Sequence, residues 1–253
     1  MSRAFLVVAA LLVPAAVLAQ PALTSRTIDE HVRVRLPLAP CQIPNIVVRI
    51  AEVLKVPAGA EAVPEHCPDP LHPEPPMTSS ESLIGMTLRD ALDAVVRLDP
   101  RYRWVETDGV IVVRPIAAWD SRDDFLNRTT SSFGFSNQNM YGAVAMLKNA
   151  LGRLDIPSVD YLEPTPTPLA ARRFSVLLGA ASLYEALNAI VRSHGELSWL
   201  VAYCLPQASY ENSLFTLMTF DLRGTGWRGA YARRPDGSLY SPCEESLKAE
   251  RQK

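Results

Sequence analysis

Four side chains of metal-binding types lie close together in the segment EHCPDPLH. They are His66, Cys67, Asp69 and His72, and histidine, cysteine and aspartate are common zinc ligands. A metal site requires these side chains to converge, whereas the prolines of CPDPLHPEPP hold the backbone extended. We therefore interpret the segment as a proline-rich surface loop. A metal site in this loop is the alternative.

The segment GTGWRG at 224–229 has the glycine spacing of a dinucleotide-binding loop. Such a loop binds pyrophosphate only where it opens a helix, because the helix N-terminus then faces the phosphates. Here AYARRPDG follows, and Pro235 and Gly237 would end a helix early. We expect a flexible glycine loop and no cofactor.

No group of residues predicts catalysis. A hydrolase needs a nucleophile, a base within hydrogen-bond reach and a third group that orients the base. The four histidines, at 31, 66, 72 and 194, accompany no Gly-x-Ser-x-Gly motif. The paired acids Asp123-Asp124 and Glu244-Glu245 lie in a linker and in the C-terminal tail. The sequence thus predicts no catalytic, cofactor-binding or metal-binding residues and a protein that is not an enzyme.

The first 19 residues have the pattern of a secretory signal peptide. Arg3 precedes an apolar run at 4–13, and Val17 and Ala19 stand at the small-residue cleavage positions. The run is shorter than the roughly 20 residues that span a bilayer. We expect an exported chain, periplasmic or secreted, with no transmembrane segment after signal cleavage.

Charge and cysteine content are consistent with this location. The formal net charge is −2 and the basic residues are scattered, which argues against nucleic-acid binding. An oxidising compartment favours disulfides among Cys41, Cys67, Cys204 and Cys243. Four cysteines allow three pairings; we favour Cys41 with Cys67 and Cys204 with Cys243, because each pair falls within one half of the chain.

A long motif occurs twice in the chain. TLRDALDAVVR at 87–97 matches SLYEALNAIVR at 182–192 with six identities in eleven positions, and Trp104 and Trp199 follow at the same offset. Each copy opens with a capping pattern, Thr87-x-x-Asp90 or Ser182-x-x-Glu185. Apolar residues then recur at the spacing of a helix with one buried face. These features predict an internal duplication.

Similar elements surround both copies. Strands at 102–106 and 110–114 flank Asp108-Gly109, a dipeptide typical of a tight hairpin. Further helices are predicted in NIVVRIAEVLK and MYGAVAMLKNALGRL. We predict an α+β fold of two tandem small modules, each with two helices packed on one face of a small mixed sheet in β-α-β-β-α-β-β order. The predicted boundaries are 1–19 for the signal, 28–116 and 125–223 for the modules, and 224–253 for a tail.

The run GMTLRDALDA at 85–94, followed by YRWVETDGVIVV, resembles the short N-terminal (STN) domain of secretins and TonB-dependent receptors. In the second half, Gly179, Leu183, Ala186 and Leu187 match after a one-residue insertion, whereas the hairpin turn does not. The resemblance implies a periplasmic interaction module used for assembly or for relaying receptor state. No barrel, plug or secretin core follows these modules, so a partner would be another chain.

Two hypotheses on function follow. The first is an exported, non-enzymatic adaptor that binds an envelope protein of unknown identity through a sheet edge or an aromatic face. The aromatic candidates are Tyr102, Trp104, Trp199 and Tyr203, for which burial in the core is the alternative. The second hypothesis is a periplasmic protein that binds a small ligand or a metal, using the cleft between the modules and the loop from His66 to His72.

Overall fold

The computed structural model describes residues 23–30, 32–36, 42–62, 79–153, 160–161, 168–203, 213–219, 232–233 and 239–240. A short 3₁₀ turn, Leu23–Ser25, precedes the elements of the first half. These elements are β1 (Arg33–Leu36), α1 (Gln42–Leu54), β2 (Ala58–Glu61), β3 (Ser79–Ser82), α2 (Leu88–Leu98), β4 (Tyr102–Thr107) and β5 (Val110–Pro115).

A linker containing α3 (Ile116–Trp119) and a 3₁₀ turn at Phe125–Asn127 leads to the second half. Its elements are β6 (Thr129–Thr130), β7 (Phe133–Gln138), α4 (Met140–Arg153), β8 (Asp160–Tyr161), α5 (Pro168–Ala171), β9 (Phe174–Leu178), β10 (Ala181–Ser182), α6 (Leu183–His194), β11 (Leu197–Tyr203) and β12 (Ser213–Thr219). Two short paired strands, β13 (Ala232–Arg233) and β14 (Leu239–Tyr240), follow.

One mixed sheet of six strands joins the two halves, in the order β4-β5-β2-β11-β12-β8. β4 runs antiparallel to β5, and both β5 and β11 run parallel to β2. β12 is antiparallel to β11 and parallel to β8. The junction between the halves is therefore a parallel pair of neighbouring strands, β2 and β11.

The helices of the two halves cover opposite faces of this sheet. Along β5, Ile111 and Val113 belong to the buried cluster that contains α1 and α2, whereas Val110 and Val112 belong to the cluster that contains α4 and α6. Successive side chains of a strand point to opposite faces, so these clusters are two cores on either side of the sheet. We call them the first core and the second core.

The second half repeats the first half turned over. Its strands β11, β12 and β8 take the places of β4, β5 and β2, and every strand direction is reversed. A half-turn about an axis that crosses the strands within the sheet reverses strand directions and exchanges the two faces. Together with a shift of three strands along this axis, the half-turn accounts for the strand order, the reversed strands and the position of the helices.

Both repeated helices begin at the predicted caps. Ser182 and Glu185 form a complete capping box, in which the Ser182 amide donates to Glu185 Oε2 over 2.7 Å. At α2 the Asp90 amide donates to Thr87 Oγ1, but the Asp90 carboxylate accepts from the Thr87 hydroxyl over 2.7 Å. The Ser182 hydroxyl also donates to Glu185 Oε2, over 2.9 Å, so the caps differ in the bond from the cap amide. Aspartate is one methylene shorter than glutamate, which explains why the first cap is simpler.

The α+β class is confirmed, and each half places its two long helices on one face. The arrangement differs from two separate modules in one respect, since the halves share a sheet and each core takes strand residues from both. Leu200 of β11 lies in the first core, and α6 contacts β2 and β5 as well as β11. The module boundaries stay a prediction, and the signal and most of the tail lie outside the described residues.

Candidate interaction edge

The hairpin β4–β5 forms one end of the six-stranded sheet. Asp108 and Gly109 both have positive φ, 51° and 77°, which is the backbone that a two-residue hairpin turn requires. Thr107 pairs with Val110 across this turn. The predicted Asp-Gly turn thus sets the register of β4, the strand at the outer edge.

The hairpin register decides which backbone groups of β4 point outwards. In an antiparallel pair, hydrogen-bonded and non-hydrogen-bonded residue pairs alternate. Because Thr107 and Val110 close the turn, Arg103 and Val105 also bond to β5, and the amides and carbonyls of Trp104 and Glu106 point away from it. Within the described part of the chain, no strand pairs with this side of β4.

Trp104 is the large side chain at this edge. Its indole Nε1 donates to Asp93 Oδ1 of α2 over 2.8 Å. The Arg89 guanidinium lies 5.4 Å from the ring centroid, within range of a cation–π contact. The ring is thus fixed against α2, yet it stays partly exposed.

The second half repeats this construction at Trp199. We call the contacts of Trp104 with α2 and those of Trp199 with α6 the two tryptophan corners. Trp199 Nε1 donates to Asn188 Oδ1 of α6 over 2.9 Å, across the same separation of eleven residues. Tyr184, which occupies the position of Arg89, meets the Trp199 ring edge-on at 6.4 Å. Each tryptophan is thus bonded to the equivalent position of its own helix.

The two corners differ in what lies beyond them. Trp199 is fully buried, and its ring covers Gly59 of β2, where an added Cβ would overlap the indole. The Val201 carbonyl of β11 accepts a hydrogen bond from the Ala62 amide beside β2. At β4 the equivalent groups are Trp104 and the Glu106 carbonyl, and the described residues place no strand beside them.

A buried charged cluster lies at the junction between the halves. Arg114 Nε donates to Glu61 Oε2 over 2.6 Å, and both side chains are 1% exposed. Arg114 also pairs with Asp124 at 3.1 Å and donates to Asn127 Oδ1 at 3.0 Å. The cluster fixes the linker against β2 and β5, which is a structural role. The sequence signal for this charged cluster was an arginine within the apolar run VIVVRP.

The predicted aromatic residues do not form one exposed patch. Tyr102 is buried in the first core and Trp199 in the second. The side chain of Tyr203 lies outside the described residues, although its backbone ends β11. Trp104 is the member of the set that the structure places at an accessible edge. The sequence signal for its place at the edge was its position on a strand next to a hairpin turn.

Other predicted features lie largely outside the described residues. These are the four cysteines, the loop with His66 and His72, and the GTGWRG segment. His194 is buried at the end of α6, with Nε2 3.0 Å from the Leu169 carbonyl. The described residues contain no group of three or more His, Cys, Asp or Glu side chains that could hold a metal ion.

The helices in the described part of the chain are all too short or too polar to cross a membrane. Comparisons with protein-family models, with curated proteins and with solved structures gave no match for this chain.

Proposed function

We propose that this protein is an exported, non-enzymatic adaptor that binds an envelope protein through the edge of β4. The observation that supports this proposal most directly is the contrast between the two tryptophan corners. One corner has an adjoining strand that Trp199 covers, and the other presents the same tryptophan, with outward amide and carbonyl groups, next to no described strand.

Strand addition is the binding mode that this edge suits. An extended segment that pairs with an exposed strand gains main-chain hydrogen bonds, and pockets for alternate side chains supply specificity. Trp104 and Glu106 offer two amides and two carbonyls to such a segment. Arg103 does not obstruct it, because its guanidinium lies 4.8 Å from the Trp119 ring, on the other face of the sheet.

The sequence supports the remaining parts of the proposal. The signal-like pattern at 1–19 favours export, and the resemblance to the STN domain of secretins and TonB-dependent receptors favours assembly or signal relay as the purpose of binding. Fold resemblance alone does not determine function, so the edge itself is the feature to test.

Site-specific photo-crosslinking in intact cells tests the proposal. A photoreactive amino acid would replace Glu106, at the β4 edge, and in a matched variant Asn149, an exposed residue of α4. We expect a discrete crosslinked protein from position 106 and none from position 149. Failure to obtain an adduct at 106, or the same adducts from both positions, would refute binding at this edge.

A further inference from the structure

The internal junction provides a template for what the β4 edge accepts. β2 lies beside β11 in a parallel register that places Gly59 opposite Trp199 and Glu61 opposite Val201. The half-turn and three-strand shift that relate the two halves convert β11 into β4, Trp199 into Trp104 and Val201 into Glu106. A segment that binds β4 as β2 binds β11 would therefore run parallel to β4, with one residue opposite Trp104 and another opposite Glu106.

Space restricts the residue opposite Trp104. At the internal junction the indole occupies the volume that a Cβ of Gly59 would need. Trp104 has the equivalent bond to its helix, 2.8 Å to Asp93 Oδ1 compared with 2.9 Å from Trp199 to Asn188 Oδ1. By equivalence with Trp199, we expect the Trp104 ring to cover the position that an added strand would take, so a residue without a bulky side chain is required there.

Charge restricts the residue of the partner segment that lies opposite Glu106. The internal junction pairs Glu61 with the apolar Val201, and Glu61 is neutralised by Arg114. On β4 the equivalent position is the exposed Glu106. Opposite charges on directly paired strand residues are favourable and like charges are not, so a lysine or arginine fits this position.

We propose that the β4 edge binds an extended segment of a partner protein in parallel orientation, with a glycine against Trp104 and a basic residue opposite Glu106. This inference rests on the proposed function and specifies the chemistry of the partner. The partner strand resembles β2 with its acidic residue replaced by a basic one.

Peptides copied from β2 test this chemistry. The probe is VPAGAKAV, the sequence of residues 56–63 with Glu61→Lys; the two comparison peptides carry either Leu in place of Gly59 or the original Glu61. Binding to the full-length protein is followed by the NMR signal of the Trp104 indole N–H, assigned by its loss in Trp104→Phe. This signal detects weak binding and locates it at β4. It thereby distinguishes binding at β4 from displacement of β2, in which the peptide would lie beside β11.

We expect the probe to shift the Trp104 indole signal in a saturable manner. The Leu peptide should bind at least about tenfold more weakly, because its side chain overlaps the ring. The peptide with Glu61 should bind about two- to fivefold more weakly, since cross-strand charge pairs contribute little each. Glu106→Lys should reverse the preference between Lys and Glu, which a non-specific contact would not do.

Two results would overturn the inference. One is equal binding of the Gly and Leu peptides, and the other is no shift of the Trp104 signal with the probe at saturating concentration. If the crosslink from position 106 persists in either case, the edge binds a partner of different chemistry and the proposed function stands. If that crosslink is also missing, both proposals fail.

Discussion

The two tryptophan corners show how one local construction leads to two different environments. Trp104 and Trp199 each donate to an Asx side chain eleven residues earlier, on a helix with a Ser or Thr cap. Trp199 is a core residue because β2 lies beside its strand, whereas Trp104 lies at the end of the sheet. The difference arises from the position of each copy in the sheet and not from its own motif.

Replacing each tryptophan by alanine gives the largest expected difference in the free energy of unfolding. Trp199→Ala should lower the free energy of unfolding by about 3–5 kcal/mol, because it leaves a large cavity in the second core. Trp104→Ala should cost about 1–2 kcal/mol, since its side chain is partly exposed and leaves less buried volume. Urea denaturation measures both. Equal losses would mean that Trp104 is as completely covered as Trp199.

The arginine of the charged cluster is not repeated in the sequence, because the position equivalent to Arg114 in the hairpin register is Met218. Arg114→Met should cost about 3–5 kcal/mol, since it removes the guanidinium that pairs with the buried Glu61 and Asp124 carboxylates. The double variant Arg114→Met with Glu61→Gln should recover most of this loss in the same denaturation measurement. No recovery would indicate that Arg114 acts through packing and not through charge.

The close approach of Gly59 to Trp199 can be tested with a single methyl group. Gly59→Ala should destabilise the protein by about 1–3 kcal/mol, because the indole or β2 must move. Gly179→Ala is the matched control, since a Cβ there meets nothing within 4 Å. Thermal unfolding compares the two variants. A neutral Gly59→Ala would show that the internal junction tolerates side chains, and the glycine requirement at β4 would lose its basis.

The two helix caps give the smallest expected difference in the free energy of unfolding. Glu185→Ala should cost about 1–1.5 kcal/mol and Asp90→Ala about 0.5–1 kcal/mol, because the Glu185 carboxylate accepts from both the amide and the hydroxyl of Ser182, whereas the Asp90 carboxylate accepts from the Thr87 hydroxyl. Ser193→Ala, at an exposed position late in α6, serves as the control for helix propensity. A larger loss from Asp90→Ala would reverse the ranking that the cap geometry predicts.

Local sequence predicted the elements well and their assembly poorly. The caps at Thr87 and Ser182 and the turn at Asp108-Gly109 are set by bonds within a few residues, so their signals are contiguous. Pairing of β2 with β11 joins segments far apart in the sequence, and the short strand AGAE carries no strong strand pattern. The equivalence of Asp93 and Asn188 was visible in the repeat, but its bond to tryptophan requires the fold.

Helices on both faces of the central sheet also limit how this protein can associate. Over β5, β2 and β11, which have a core on each face, two molecules cannot stack sheet face against sheet face, as the layers of a β-sandwich do. Association through the β4 edge is instead lateral, in the plane of the strands, where recognition depends chiefly on main-chain atoms. A lateral contact of this kind tolerates sequence drift in the partner at every position except the few that meet a side chain such as an indole.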